Sequence, residues 1–329
     1  MNNDVVTFGS ATVDIFAQTS DTDVTALCSG DHCEDVLVYH PGDKILLEDI
    51  HTSIGGGGLN TAACFCSQEL QTVFAGPLGK DENGDRILDW MRQQRIRFGG
   101  PRLDIPTNTS IILDSHLLDD RTILAYKGAS NHLQKQHLDL QALHATWWYS
   151  SSLVGESFHT LKQLMRYAHE HDIAFAFNPS AYQTQAGMEV LGECVRLSTL
   201  LICNKQEGEM LVGKGDRAQI CRRLKQAGAE IVCITEGSYG ASLLYADTIY
   251  HIDSQATQVV ETTGAGDCFA STLLSGLIHE LSPKKSLIRA SVHAEELIRH
   301  VGAQQGLLSK EELDKRVQQS THTIICERV

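Results

Sequence analysis

Short apolar runs alternate with helical patterns along most of this chain, and that alternation limits the folds open to it. Residues 5–8, 72–75, 146–149, 173–177, 200–203 and 231–234 read as buried strands. Stretches such as 159–171 and 218–227 between them carry helical periodicity. Strand and helix in strict turn predict an α/β fold, a doubly wound, mostly parallel sheet flanked by helices. Ligands of such sheets gather at the carboxyl ends of the strands.

Two pieces break the rhythm. Residues 17–52 are polar, with short alternating segments at 36–39 and 44–47. Residues 109–127 read as a hairpin turning near Asp119 and Asp120. Together they predict a small separate sheet that could act as a lid. The chain then divides into a core of residues 1–16, 53–108 and 128–329 and a small β lid of residues 17–52 and 109–127.

Composition narrows the partners. The 329 residues are 42% hydrophobic and 21% charged, as in a soluble globular protein, and the net charge of −14 disfavours nucleic acid or an anionic membrane. The ten cysteines lack C-x-x-C or zinc spacing, and Cys64, Cys203, Cys233 and Cys268 sit in apolar segments as small core residues do. The first residues show no basic-then-apolar leader, and no apolar run reaches the roughly 18 residues that suggest a membrane span. A cytoplasmic protein with reduced thiols is the expectation.

The densest chemical signal is Glu261-Thr262-Thr263-Gly264-Ala265-Gly266-Asp267. It leads into a helix whose apolar face is Phe269, Leu273, Leu274, Leu277, Ile278 and Leu281, and Ser282-Pro283 ends the run. Gly264, Ala265 and Gly266 therefore lie where helical N–H groups have no internal partner, a place that attracts anions. Asp267 adds a base beside that anion hole. A phosphate cradle next to a carboxylate suits phosphoryl transfer to a hydroxyl. The plainer reading is a glycine turn with an acid in the first helical turn.

Four further motifs follow predicted strands or the predicted lid. Gly55-Gly56-Gly57-Gly58-Leu59-Asn60 permits close backbone approach, with Asn60 able to bond a hydroxyl; the alternative is a flexible loop. Asp14, after the first strand, can accept two sugar hydroxyls or serve as a turn acid. Asn204 and Glu207 could hold Mg²⁺ through water, or form a helix capping pair. Thr235, Gly237 and Gly240 could line a nucleotide's phosphates, or make a hairpin turn. Gly79-Lys80 is followed by Asp81, so no Walker A loop is present.

Taken in order, these segments resemble the ribokinase-like (PfkB-type) carbohydrate kinases across essentially the whole chain. The resemblance implies an ATP- and Mg²⁺-dependent enzyme that moves the γ-phosphate to a hydroxyl of a small sugar. Asp267 would be the general base and Gly264, Ala265 and Gly266 the anion hole. Asp14, Gly56, Gly57 and Asn60 would hold the sugar. Asn204, Thr235, Gly237 and Gly240 would serve ATP, with His293 on the adenine side, and Glu207 would act on Mg²⁺ through water. It also implies a homodimer formed through the lid. Glu261 stands where many members have Asp near a monovalent cation, which leaves K⁺ dependence open, and Thr12 replaces the Asn of ribokinases proper. A nucleoside acceptor, with a wall from Val38, Tyr39 and Leu46, is the alternative within kinases. A sugar- or nucleotide-binding regulator without catalysis is the alternative outside them; ligand-induced thermal stabilisation without ATP turnover would distinguish it.

Overall fold

The computed structural model describes residues 3–19, 23–29, 32–115 and 121–329. Its central ten-stranded sheet has the spatial order Ile325–Arg328, Thr248–Ile252, Ala241–Tyr245, Ile231–Thr235, Leu200–Asn204, Ala174–Phe177, Ala145–Ser150, Asn3–Phe8, Thr72–Phe74, Arg97–Phe98. The run from Ile231–Thr235 to Arg97–Phe98 is parallel, and the three remaining strands continue it antiparallel. Each strand expected from an apolar run lies in this sheet. The expected helices appear as Glu156–Glu170 and Arg217–Gln226.

The chain starts mid-sheet. It winds from Asn3–Phe8 out to Thr72–Phe74 and Arg97–Phe98, then returns to the other side of Asn3–Phe8 as Ala145–Ser150. The strand order reverses there, and such a switch point opens a crevice at the carboxyl ends. Phe8 is in register with Ser150, so the loops after both strands meet at that crevice.

Side-chain alternation divides the core between two faces. Val6, Phe8, Trp148, Phe175 and Phe177 pack on one side with Leu161, Leu164 and Met165 of Glu156–Glu170. Val5, Tyr149, Ala176 and Leu200 pack on the other with Phe269, Leu273 and Leu274 of the helix Ala265–Ile278 and Leu287 of the helix Pro283–Leu297. The first of these helices ends at Ile278, short of the expected Leu281, with Glu280 at a left-handed φ of 56°, and Ser282 caps the second, with Pro283 at its start.

A four-stranded sheet, ordered Arg121–Tyr126, Asn108–Ser115, Thr12–Thr19, Asp49–Gly55, stands apart from the main one. The expected hairpin is present, with Thr109 opposite Tyr126; its turn near Asp119 and Asp120 lies outside the described residues. Residues 44–47 form no strand, contrary to their alternating pattern. They follow a turn at Gly42, and Leu46 and Leu47 are exposed while Ile45 is half-buried. His32–Val38 pairs with Asp23–Ser29 as a separate hairpin. Among the described residues, no helix is long and apolar enough to cross a membrane.

Candidate active site

The helix Ala265–Ile278 opens on Gly264, whose φ of 78° is left-handed, and no side chain caps it. A Cβ there would stand 2.6 Å from the Cβ of Ala303, so both conformation and packing call for glycine. The Ala265 N–H is already bonded to the Thr262 carbonyl at 3.2 Å. The next N–H groups, of Gly266 and Asp267, carry the positive end of the helix toward the crevice. Gly266 is exposed, with nothing within 4 Å of where its Cβ would be.

Asp267, half-buried in the first turn, accepts a hydrogen bond at Oδ2 from Asn60 Nδ2 at 2.9 Å. Burial pushes its carboxyl up to about 6; the Asn60 bond opposes that shift and the neighbouring Cys64 adds to it. A carboxylate in that range can take up a proton at neutral pH more readily than an ordinary one.

Asn60 and Asp14 both lie beside Gly55. Asn60 lies in the helix Gly57–Ser67, whose N-cap is Gly56 at a left-handed φ of 97°. Gly57, the first helical residue, lies close to Ser151: a Cβ there would sit 3.1 Å from Ser151 Oγ and in ordinary contact, 3.4 Å, with Asp267 Oδ1. Asp14 lies within the strand Thr12–Thr19, opposite Ser53 and Ser110. Its carboxyl is raised by burial, against the lowering influence of a Ser110 side-chain hydrogen bond and of Lys127. A Cβ on Gly55 would come within 2.4 Å of Asp14 Oδ2, so the glycine run makes space for this acid as well as for a ligand.

Two cavities meet at Gly266 and Thr235. One, of about 300 Å³, is lined by Gly57, Ser151, Asn204, Glu207 and Asp267. The other, of about 340 Å³, has an apolar wall of Val259, Phe269, Ala294 and Ile298, with Gly237 and Gly240 at its edge. A larger cavity of about 990 Å³ lies beside the helix Glu82–Gln93, and Asp267 does not line it. Thr235, Gly237 and Gly240 also make a tight turn into the antiparallel strand Ala241–Tyr245, so the hairpin and the cavity edge are the same residues.

Asn204 and Glu207 form a complete capping box. Asn204 Oδ1 accepts from the Glu207 N–H at 2.8 Å, and Glu207 Oε2 accepts from the Asn204 N–H at 2.9 Å. Burial raises the Glu207 carboxyl, while backbone bonds from Asn204 and Ala181 oppose the rise. A carboxylate so engaged keeps further lone pairs and fits a water-mediated Mg²⁺ better than a direct one.

His293 is not brought to either cavity. It is fully buried, with Nδ1 2.8 Å from Thr272 Oγ1 and Nε2 accepting from the Leu308 N–H at 2.8 Å. Its helical neighbours Ser291 and Ala294 line the apolar cavity instead. His293 also lies within 4.8 Å of the buried Cys64 and Cys268 thiols, a grouping that sequence spacing did not indicate. Metal ligation through Nδ1 would put a proton on Nε2, facing the Leu308 N–H donor to donor. The cluster is therefore packed as a hydrogen-bonded core contact.

Two neighbours of the site escaped sequence reading. Ser151, just past the strand Ala145–Ser150, is buried with a partnerless hydroxyl on the Asp267 cavity. Its place at a strand's carboxyl end was the available signal. Gln304 donates from Nε2 to Asn60 Oδ1 at 2.9 Å, across 244 positions of sequence, and no motif announced it.

The family described as pfkB family carbohydrate kinase matches residues 4–310. The chain is similar to the ATP-dependent 6-phosphofructokinase of Thermoanaerobacterium thermosaccharolyticum, 23% identical over 84% of this chain and 88% of that one. It is also similar to the ribokinase of Lactococcus lactis, 26% identical over 86% and 91%. Its fold is similar to that of Arabidopsis thaliana ribokinase complexed with ribose and ATP: TM-score 0.80, 20% identity, 97% of this chain and 100% of that one. A Burkholderia thailandensis nucleoside kinase in complex with inosine shares the fold with a TM-score of 0.73 and 18% identity, over 96% and 98%.

Proposed function

The chain belongs to the pfkB family of carbohydrate kinases, and from that premise we propose that it transfers the γ-phosphate of ATP to a hydroxyl of a small sugar, with Asp267 as general base. The observation that carries this reading is the Asp267 carboxylate, raised to about 6, bonded to Asn60 and set in the first turn of an uncapped helix. The acceptor hydroxyl gives its proton to Asp267 as its oxygen bonds to phosphorus. The turn of Gly264, Ala265 and Gly266 forms the anion hole, and the N–H groups of Gly266 and Asp267 at its end hold the charge on the transferring group. Asp14, Gly56, Gly57 and Asn60 hold the sugar. ATP lies with its phosphates toward Asn204, Thr235, Gly237 and Gly240, and its base in the apolar cavity.

Glu207 and Asn204 would hold Mg²⁺ through water, and the ion would neutralise phosphate charge. The Glu261 carboxylate accepts the Gly302 N–H at 2.6 Å, so at least one of its oxygens is already committed to the protein. The small sheet serves as a lid that excludes water. It also joins two protomers, a reading supported by exposed Ile50, Ile123, Leu124 and Tyr126.

A nucleoside acceptor is the second reading. It is favoured by the likeness to the inosine-bound nucleoside kinase and by the exposed Leu46 beside the small sheet, available as a wall for a base. A coupled ADP-release assay over ribose, fructose, fructose 6-phosphate, 2-keto-3-deoxygluconate, adenosine and inosine separates the readings. Saturable turnover on a sugar supports the first, and turnover confined to nucleosides replaces it with the second. On the productive acceptor, Asp267→Ala is expected to lower kcat by about 10²–10⁴-fold. Near-wild-type turnover in that variant would remove Asp267 from the base role.

A further inference from the structure

We propose that Gln304 is a positioning residue for Asp267, holding the Asn60 amide in the orientation that turns its NH₂ toward the carboxylate. The functional part of this proposal rests on the reading of Asp267 as base. An asparagine amide has a donor end and an acceptor end, and an ionised carboxylate only accepts. Asn60 sits between two partners of opposite demand. Its Nδ2 donates to Asp267 Oδ2 at 2.9 Å, and its Oδ1 accepts from Gln304 Nε2 at 2.9 Å. Turning the amide over would set oxygen against carboxylate and NH₂ against NH₂. Asn60 is only 7% exposed, so water has little room to substitute for either partner.

Gln304 belongs to a segment tied down on both sides. The Gly302 N–H donates to Glu261 Oε2 at 2.6 Å, and the Leu307 N–H donates to the Gln304 carbonyl at 3.2 Å. Between them Ala303 packs against Gly264, the first residue of the anion hole. One short segment therefore touches both halves of the site: the glycine that shapes the helix start and the amide that supports the base. Glu261 acts in this arrangement as the anchor of the segment.

The consequence is electrostatic. The Asn60 bond favours the charged form of Asp267 against the burial that disfavours it. An Asn60 freed from Gln304 spends part of its time turned over, and Asp267 then holds its proton to higher pH. The titratable groups facing Asp267 are Cys64 on the helix Gly57–Ser67, Tyr149 on the strand Ala145–Ser150 and Cys268 on its own helix; the variants below leave all three in place.

The test uses Gln304→Met, similar in length and neutral but without the donor, and Gln304→Glu, the same shape with the donor replaced by an acceptor. The readout is the carboxyl ¹³C titration of Asp267 in the full-length protein, assigned by its loss in Asp267→Asn. In both variants the midpoint is expected to rise by about one pH unit, a tenfold change in the protonation equilibrium, with the larger rise in Gln304→Glu. The acidic limb of kcat should move by the same amount while KM for ATP stays within about twofold. An unchanged midpoint in whichever variant folds overturns the proposal. A midpoint that moves while the acidic limb stays put upholds the positioning of Asp267 and instead removes Asp267 from the base role.

Discussion

Asp267 carries opposite consequences for stability and for chemistry. Its carboxyl titrates at about 6 in the folded chain against an ordinary value of 3.8, so the folded state binds the proton more tightly than the unfolded one. Its contribution to stability is then greatest below about pH 4 and is lost as pH rises through about 6. Asp267→Asn removes the ionisation, and is expected to be more stable than the wild type at pH 8 by about 1–3 kcal/mol. The difference should shrink toward pH 4 in denaturant melts taken across that range. A constant difference at all pH values would mean that burial of the charge is not its source. The acid was legible in the sequence because glycines and a helical pattern surround it. His293 was not, since a histidine in a helix reads the same whether it faces a ligand or, as here, is bonded on both nitrogens inside the core. Asn204 and Glu207 illustrate a third outcome, in which the capping alternative is realised in full on the wall of the site cavity.

At the scale of elements, the start of the helix Ala265–Ile278 depends on one backbone conformation. Gly264 sits at φ 78° with Ala303 against its Cα. Gly264→Ala is expected to destabilise the chain by roughly 1–3 kcal/mol through strain and overlap. Urea unfolding measures that cost, and KM for ATP should rise with it as the N–H groups are displaced. A variant with wild-type stability would show that the turn can shift freely. The helices and buried strands were readable because periodicity reports burial directly. Residues 44–47 misled because alternation marks a strand only where one face is buried, and Leu46 and Leu47 are both exposed. Thr12–Thr19 was hidden for the complementary reason: it follows Asn3–Phe8 so closely that its acid read as a loop residue, whereas it pairs with Asn108–Ser115 nearly a hundred positions away.

For the whole molecule, the exposed apolar residues of the small sheet set the remaining expectation. Ile123 and Leu124, 55% and 54% exposed, are adjacent on an edge strand, a surface that single chains seldom leave open. If two protomers meet there, Ile123→Glu with Leu124→Lys should convert a dimer to a monomer in light scattering with little change in thermal stability of the core. A wild-type protein that is already monomeric would refute that interface. The sequence by itself determined the α/β class, the strands of the core, the glycine-rich helix starts and the acid Asp267 beside one of them, because each follows from local periodicity, turn chemistry or short spacing. The tertiary structure alone decided which of them meet. It set Asn60 on Asp267, brought Gln304 to Asn60, put Ser151 on the cavity and enclosed His293 among thiols. Those contacts join positions up to 244 residues apart, and they arise from how the helices pack over a sheet whose strand order reverses beside its first strand. No local pattern encodes such a meeting, because its energy belongs to the packed pair and to neither segment alone.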